Sequence, residues 1–197
     1  MKYILLILLM TGLSVSAQKK EQQIAVVYYN KVDQKLKDEL FQAIADSYHC
    51  TVYEMSDIFT LPKSAYYAPR KRYRAEVLLK DLQLNTGTRD RILAVTTQDI
   101  STTHNGVYDW GIMGLAAQPG VAAVISTYRL RSPNTQLFYD RLIKVALHEL
   151  GHTMGLPHCT YSKTCYMQDA SGTIKTVDRE TRTLCTHCKQ LLNKLLD

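Results

Sequence analysis

Two kinds of apolar pattern alternate along the chain. The run Ile24-Ala25-Val26-Val27-Tyr28-Tyr29 is β-branched or aromatic and apolar on both faces, which predicts a buried central strand. From Val32 the spacing changes. Val32, Leu36, Leu40, Ala43, Ile44 and Ser47 recur at three- and four-residue intervals, with Lys35, Lys37, Asp38 and Glu39 mostly elsewhere, so an amphipathic helix is expected over 32–48. Thr51 to Met55 then reads as a second strand, and strand-helix-strand order favours parallel pairing with a right-handed crossover. The prolines of Leu61-Pro62 to Pro69 make a turn-rich connection.

Helical spacing returns over Tyr73 to Leu84, with Val77, Leu78 and Leu82 facing inward, and Asn85-Thr86-Gly87 stops it. Arg91 to Thr97 is a third strand, and Asp99 to Asp109 reads as a polar loop. Trp110 to Gln118 and Val121 to Leu130 flank Pro119-Gly120 as two arms of a hairpin. Gly111 and Gly114 would weaken the first arm, which makes it an edge strand. After the loop Ser132 to Thr135, a stripe of Phe138, Leu142, Val145 and Ala146 packs a long helix on the sheet. The expected fold is a compact α/β domain with a mixed, twisted sheet and an antiparallel edge strand.

The 197 residues suit one domain with a sizeable core. Met1-Lys2, an apolar run from Tyr3 to Leu13 and the small residues Ser14-Val15-Ser16-Ala17 fit a signal peptide cleaved after Ala17, leaving a mature domain of residues 18–197. The apolar run is too short for a span, which takes about 20 residues. The expected location is therefore secreted or periplasmic, with no stable membrane insertion once the leader is removed. The formal charge of +6, less one when Lys2 leaves with the leader, is mild. The run Arg70-Lys71-Arg72-Tyr73-Arg74 reads as a solvated helix start and not as a nucleic-acid site.

The sharpest chemistry lies at His148-Glu149-Leu150-Gly151-His152-Thr153-Met154-Gly155-Leu156-Pro157-His158. In a helix, four residues advance about 400°, so His148 and His152 project from one face and can share a metal. Glu149, about 100° further round, need not ligate but can reach a water, the position of a general base. Gly155 tolerates a left-handed backbone and Pro157 prevents further helix, so the chain can reverse and return His158 to the metal. Three imidazoles plus an exchangeable position describe a catalytic zinc site, as distinct from a closed structural one.

Four of the five cysteines, Cys159, Cys165, Cys185 and Cys188, fall in the C-terminal segment 155–197; Cys50 stands apart. Four thiolates can enclose a structural zinc, while export would favour disulfides, and spacing alone does not choose between them.

With these residues in view, the chain resembles the archaemetzincins, whose signature is H-E-x-x-H-x-x-G-x-x-H-C-x4-C-x-M-x17-C-x-x-C. His148 to Cys159 match throughout, Cys165-Tyr166-Met167 match C-x-M, and 17 residues separate Met167 from Cys185. Similarity extends upstream through Tyr67-Ala68-Pro69-Arg70 with Tyr73, Asp99 and Ser126 to Leu130. One departure is that five residues, not four, separate Cys159 from Cys165. The resemblance implies a metzincin-like domain with a long active-site helix, its sheet-bearing part over 18–154 and a small zinc-braced C-terminal subdomain over 155–197. It implies two zinc ions: a catalytic one on His148, His152 and His158 with Glu149 as base, and a structural one on Cys159, Cys165, Cys185 and Cys188. Met167 would lie in the turn beneath the catalytic metal. Some metzincins carry a tyrosine two residues beyond that methionine, where this chain has Asp169.

The leading expectation is an exported, monomeric zinc peptidase acting on an extended peptide or protein substrate. The alternative is a secreted, zinc-stabilised binding module without catalysis.

Overall fold

The computed structural model describes residues 21–55, 59–85, 87 and 89–196. The leader expected at 1–17 lies outside them. The elements in chain order are β1 (Gln23–Tyr28), α1 (Gln34–Tyr48), β2 (Thr51–Glu54), β3 (Tyr66–Tyr67), β4 (Arg72–Arg74), α2 (Ala75–Asn85), β5 (Arg91–Thr96), β6 (Ile100–His104), β7 (Val107–Ile112), β8 (Gly114–Ala116), β9 (Ala122–Ser126), α3 (Thr135–Thr153), α4 (Ile174–Arg179) and α5 (Thr186–Leu196).

The larger sheet runs β2-β1-β5-β9-β8, with every pair parallel except the antiparallel edge strand β8. Its centre is dry because Ile24 to Val27, Ile92 to Val95 and Ala122 to Ile125 are all buried, as the two-sided apolar runs require. One face packs on α1 and α3 through Leu40, Ile44, Leu142, Ile143 and Leu150; the other packs on α2 through Leu78 and Leu82. α1 begins where Asp33 accepts from the Leu36 N–H and ends on His49 in the left-handed region, φ 50°.

Three expectations need correction. The polar stretch 99–109 is not a loop but a hairpin: β6 and β7 pair antiparallel around Asn105-Gly106, both at positive φ, because a two-residue Asn-Gly turn matches strand twist. They belong to a second, four-stranded sheet, β3-β4-β6-β7. The first arm expected over Trp110–Gln118 is accordingly split, with Trp110 to Ile112 in β7 and only Gly114 to Ala116 in β8, across from β9.

The basic run is no helix start either. Arg72 and Arg74 lie in β4, and α2 begins only at Ala75. Charge pairing explains this. Arg72 Nε donates to Asp99 at 2.7 Å and its Nη1 to Asp109 at 2.9 Å, while Arg129 donates to both Asp99 oxygens at 2.8 and 3.0 Å. The buried Asp99 thus clamps the second sheet to the turn after β9. Asp99→Ala should cost about 3 kcal/mol in urea denaturation, because it removes both carboxylate contacts of Arg129 and leaves Arg72 with Asp109 alone.

Cys50, unassigned by the sequence, is buried in the core, and burial pushes its thiol up to about 11. It is a small packing residue. No helix among the described residues is long and apolar enough to cross a membrane.

Candidate active site

α3 carries the site because Asn134 caps its start, accepting from the Leu137 N–H, and an unbroken apolar stripe holds it on the sheet. His148, Glu149 and His152 occupy its last turns. The helix stops at Thr153; Gly155 then takes φ +95°, and the Leu156 N–H closes on the Gly151 carbonyl at 3.0 Å. This is the chain reversal expected from Gly155 and Pro157, and it brings His158 back over the helix.

One ligand atom from each of His148, His152 and His158 falls within 4.8 Å of the others, and the Nε2 atoms of His148 and His152 are 3.0 Å apart. Their orientation is fixed from behind. The Nδ1–H of His148 donates to the Tyr166 carbonyl at 2.7 Å and that of His152 to the Leu156 carbonyl at 2.8 Å, which leaves both Nε2 lone pairs free and aimed together. Burial, with neighbouring imidazoles, pushes His148 down to about 3, and burial also lowers His152, so both are neutral and need shed no proton to bind a metal.

Glu149 is buried beside them, and burial alone pushes its carboxyl up to about 8. A dication at the three imidazoles would lower it again. Neutral, convergent nitrogens next to a carboxyl that lacks a positive partner are a donor set that fits zinc.

The strand β8 makes room for that carboxyl. A Cβ at Gly114 would sit 2.5, 2.6 and 2.8 Å from Oε1, Cγ and Cδ of Glu149. The sequence reading took Gly114 only as a strand weakener and missed this. Gly114→Ala should displace the carboxylate by roughly an ångström and lower kcat/KM roughly 10²-fold, with zinc content unchanged by metal analysis.

Met167 is fully buried beneath the helix, close enough that a Cβ at Gly151 would meet its Sδ at 2.5 Å. The segment is pinned by the Cys159 N–H, which donates to the Met167 carbonyl at 2.6 Å, and by Gln168, whose side-chain amide donates to the Cys159 carbonyl.

The four cysteines also converge. The ligand atoms of Cys159, Cys165, Cys185 and Cys188 lie within 4.8 Å of one another. All are unpaired, and the Cys159 and Cys185 sulfurs are 3.6 Å apart against about 2.05 Å for a disulfide. Burial pushes Cys165 up to about 11 and Cys188 further. Burial opposes ionisation at Cys159 too, but hydrogen bonds from the Tyr161 and Ser162 backbone and neighbouring thiols bring it below its usual value on balance. Four thiols so crowded cannot ionise together without a cation, which again fits a dication. His187 is no part of this set: it stacks on Tyr161 with ring centroids 3.6 Å apart.

A cavity of about 520 Å³ opens over the imidazoles, walled by β7 and β8 on one side and by Gln168 to Gly172 on the other. Asp169 lines it; a backbone hydrogen bond from Ser171 lowers its pKa, with His158 and His148 contributing.

The model of peptidase family M54 matches residues 23–194. The chain belongs to that family. It is similar to the archaemetzincin of Methanopyrus kandleri, 37% identical over 136 residues that cover 69% of this chain and 74% of that one. The archaemetzincin of Haloquadratum walsbyi is 35% identical over 170 residues, 80% of this chain and 92% of its own length. The crystal structure of the M. kandleri protein superposes with a TM-score of 0.80 at 30% identity, covering 92% of this chain and 98% of that one. That of Archaeoglobus fulgidus archaemetzincin, complexed with malonate, gives 0.73 at 25% identity, with 86% and 99% covered. This M54 chain is therefore a zinc-dependent metallopeptidase of the archaemetzincin family, and peptides are its substrates.

Proposed function

We propose that the mature chain, residues 18–197, is an exported peptidase whose general base is Glu149 and which carries two zinc ions. The observation that carries this reading is the convergence of the imidazoles of His148, His152 and His158 next to the buried Glu149 carboxyl. Those imidazoles would hold the catalytic ion, and Cys159, Cys165, Cys185 and Cys188 the structural one. Zinc at the imidazoles supplies Lewis acidity, acidifying a water and polarising a peptide carbonyl.

The chain's own residues do the rest. A Glu149 carboxylate oxygen takes a proton from the attacking water and delivers it to the leaving amine. Carbonyls of Tyr166 and Leu156 keep His148 and His152 in one tautomer throughout. The strand β8, at the sheet edge and in the cavity wall, offers backbone groups along which an extended peptide can lie. The C-terminal segment 155–197 braces this arrangement, since His158 and Cys159 are adjacent and tie the two sets of ligands together. Export rests on the leader pattern of residues 1–17.

The test is zinc-dependent cleavage of an unstructured peptide. Chelation should abolish turnover and zinc should restore it; turnover indifferent to chelation would contradict the proposal.

A further inference from the structure

The cavity that holds the imidazoles also reaches a carboxylate that the chemistry above does not use. Glu180 follows α4, is 6% exposed, and lines the cavity. Its backbone is held, with its N–H donating to the Thr176 carbonyl at 3.1 Å. Its Oε1 is buried and has no hydrogen-bond partner.

The nearby cations are committed elsewhere. Lys144 Nζ lies 2.6 Å from Asp140 and donates to the Val177 carbonyl at 3.1 Å. Arg179 points to the Lys163 carbonyl at 3.4 Å. Burial therefore pushes the Glu180 carboxyl up to about 8, and Lys144 and Arg179 offset only part of that. A buried acid without a full partner is costly, and such groups concentrate where a ligand supplies the partner.

The surroundings say which ligand. Val145 and Val177, both buried, line the same cavity. Apolar walls together with a carboxylate suit a side chain made of methylenes with a cation at its tip. We propose that Glu180 is a specificity-determining residue that selects peptides with lysine or arginine beside the scissile bond. This rests on the peptidase reading, with the scissile bond at the three histidines.

The experiment compares kcat/KM of the zinc-loaded wild-type chain on matched peptides with lysine, arginine, norleucine or glutamine placed on either side of the cleaved bond. Lysine and arginine should be favoured over norleucine at least about tenfold, and Glu180→Gln should reduce that ratio at least about tenfold. No cationic preference in the wild type overturns the inference, as does a preference that survives intact in Glu180→Gln. The wild-type ratio keeps the test decisive even if Glu180→Gln misfolds. A parallel measurement does not depend on turnover: fluorescence anisotropy of labelled lysine and norleucine peptides on the Glu149→Gln protein. Tighter lysine binding supports Glu180's role even where the wild type cleaves nothing, an outcome that would instead defeat the peptidase reading; equal binding overturns the role.

Discussion

Glu149→Gln should lower kcat/KM on a cleaved peptide about 10²- to 10⁴-fold while zinc content and circular dichroism stay at wild-type values. The amide keeps the shape of the carboxyl and its packing against Gly114, so the fold has no reason to change. What is lost is a site able to accept a proton. Nor does metal affinity depend on this side chain, because the three imidazoles converge without it and two are oriented by backbone carbonyls. A rise in KM alone, with kcat preserved, would assign Glu149 to binding and not to proton transfer.

Cys188→Ser should remove one zinc ion per chain and lower the Tm by at least about 10 °C. Structural zinc contributes about 10–16 kcal/mol of apparent binding free energy in small sites, as much as the whole stability of a typical domain. Losing only about 3–5 kcal/mol of it in a chain this long moves the Tm by roughly 10 °C. The loss should spread to the catalytic site, since Cys159 is the neighbour of His158 and its N–H holds the Met167 carbonyl. Metal analysis and calorimetry check both parts. Chain that contains four bridged cysteines and keeps its Tm in chelator would mean disulfides had taken the place of the metal.

The site was far more legible in the sequence than the architecture around it. A helix period fixes which side chains share a face, so His148, His152 and Glu149 could be placed from spacing, and Gly155 announced the reversal that φ +95° carries out. The strands at 24–28, 91–96 and 122–126 were equally readable, because burial on both faces leaves an unbroken apolar signature. The second sheet was hidden by its exposure. β6 and β7 carry polar residues such as Thr102, Thr103 and Asp109, and only the Asn105-Gly106 turn gave them away, a signal passed over in favour of overall polarity.

Other features depend on contacts between distant residues. That Arg72 would join a strand and not a helix depends on Asp99 and Asp109, far along the chain. That Gly114 must lack a side chain depends on Glu149 folding over it. The short α4 gave no period long enough to read, and so Glu180 had no visible claim on the cavity. The cysteine spacing was compatible with metal or disulfide alike; the gathering of four unpaired sulfurs within 4.8 Å is a tertiary fact.

The claim that organises all of this is that the three-histidine site at the end of α3 hydrolyses peptide bonds through Glu149. The most direct measurement incubates an unstructured peptide library with the zinc-loaded chain and with its Glu149→Gln variant, and reads new termini by mass spectrometry. The account predicts new termini with the wild type and essentially none with the variant. Equal cleavage by both proteins, or none by a wild type that holds its zinc, would contradict it.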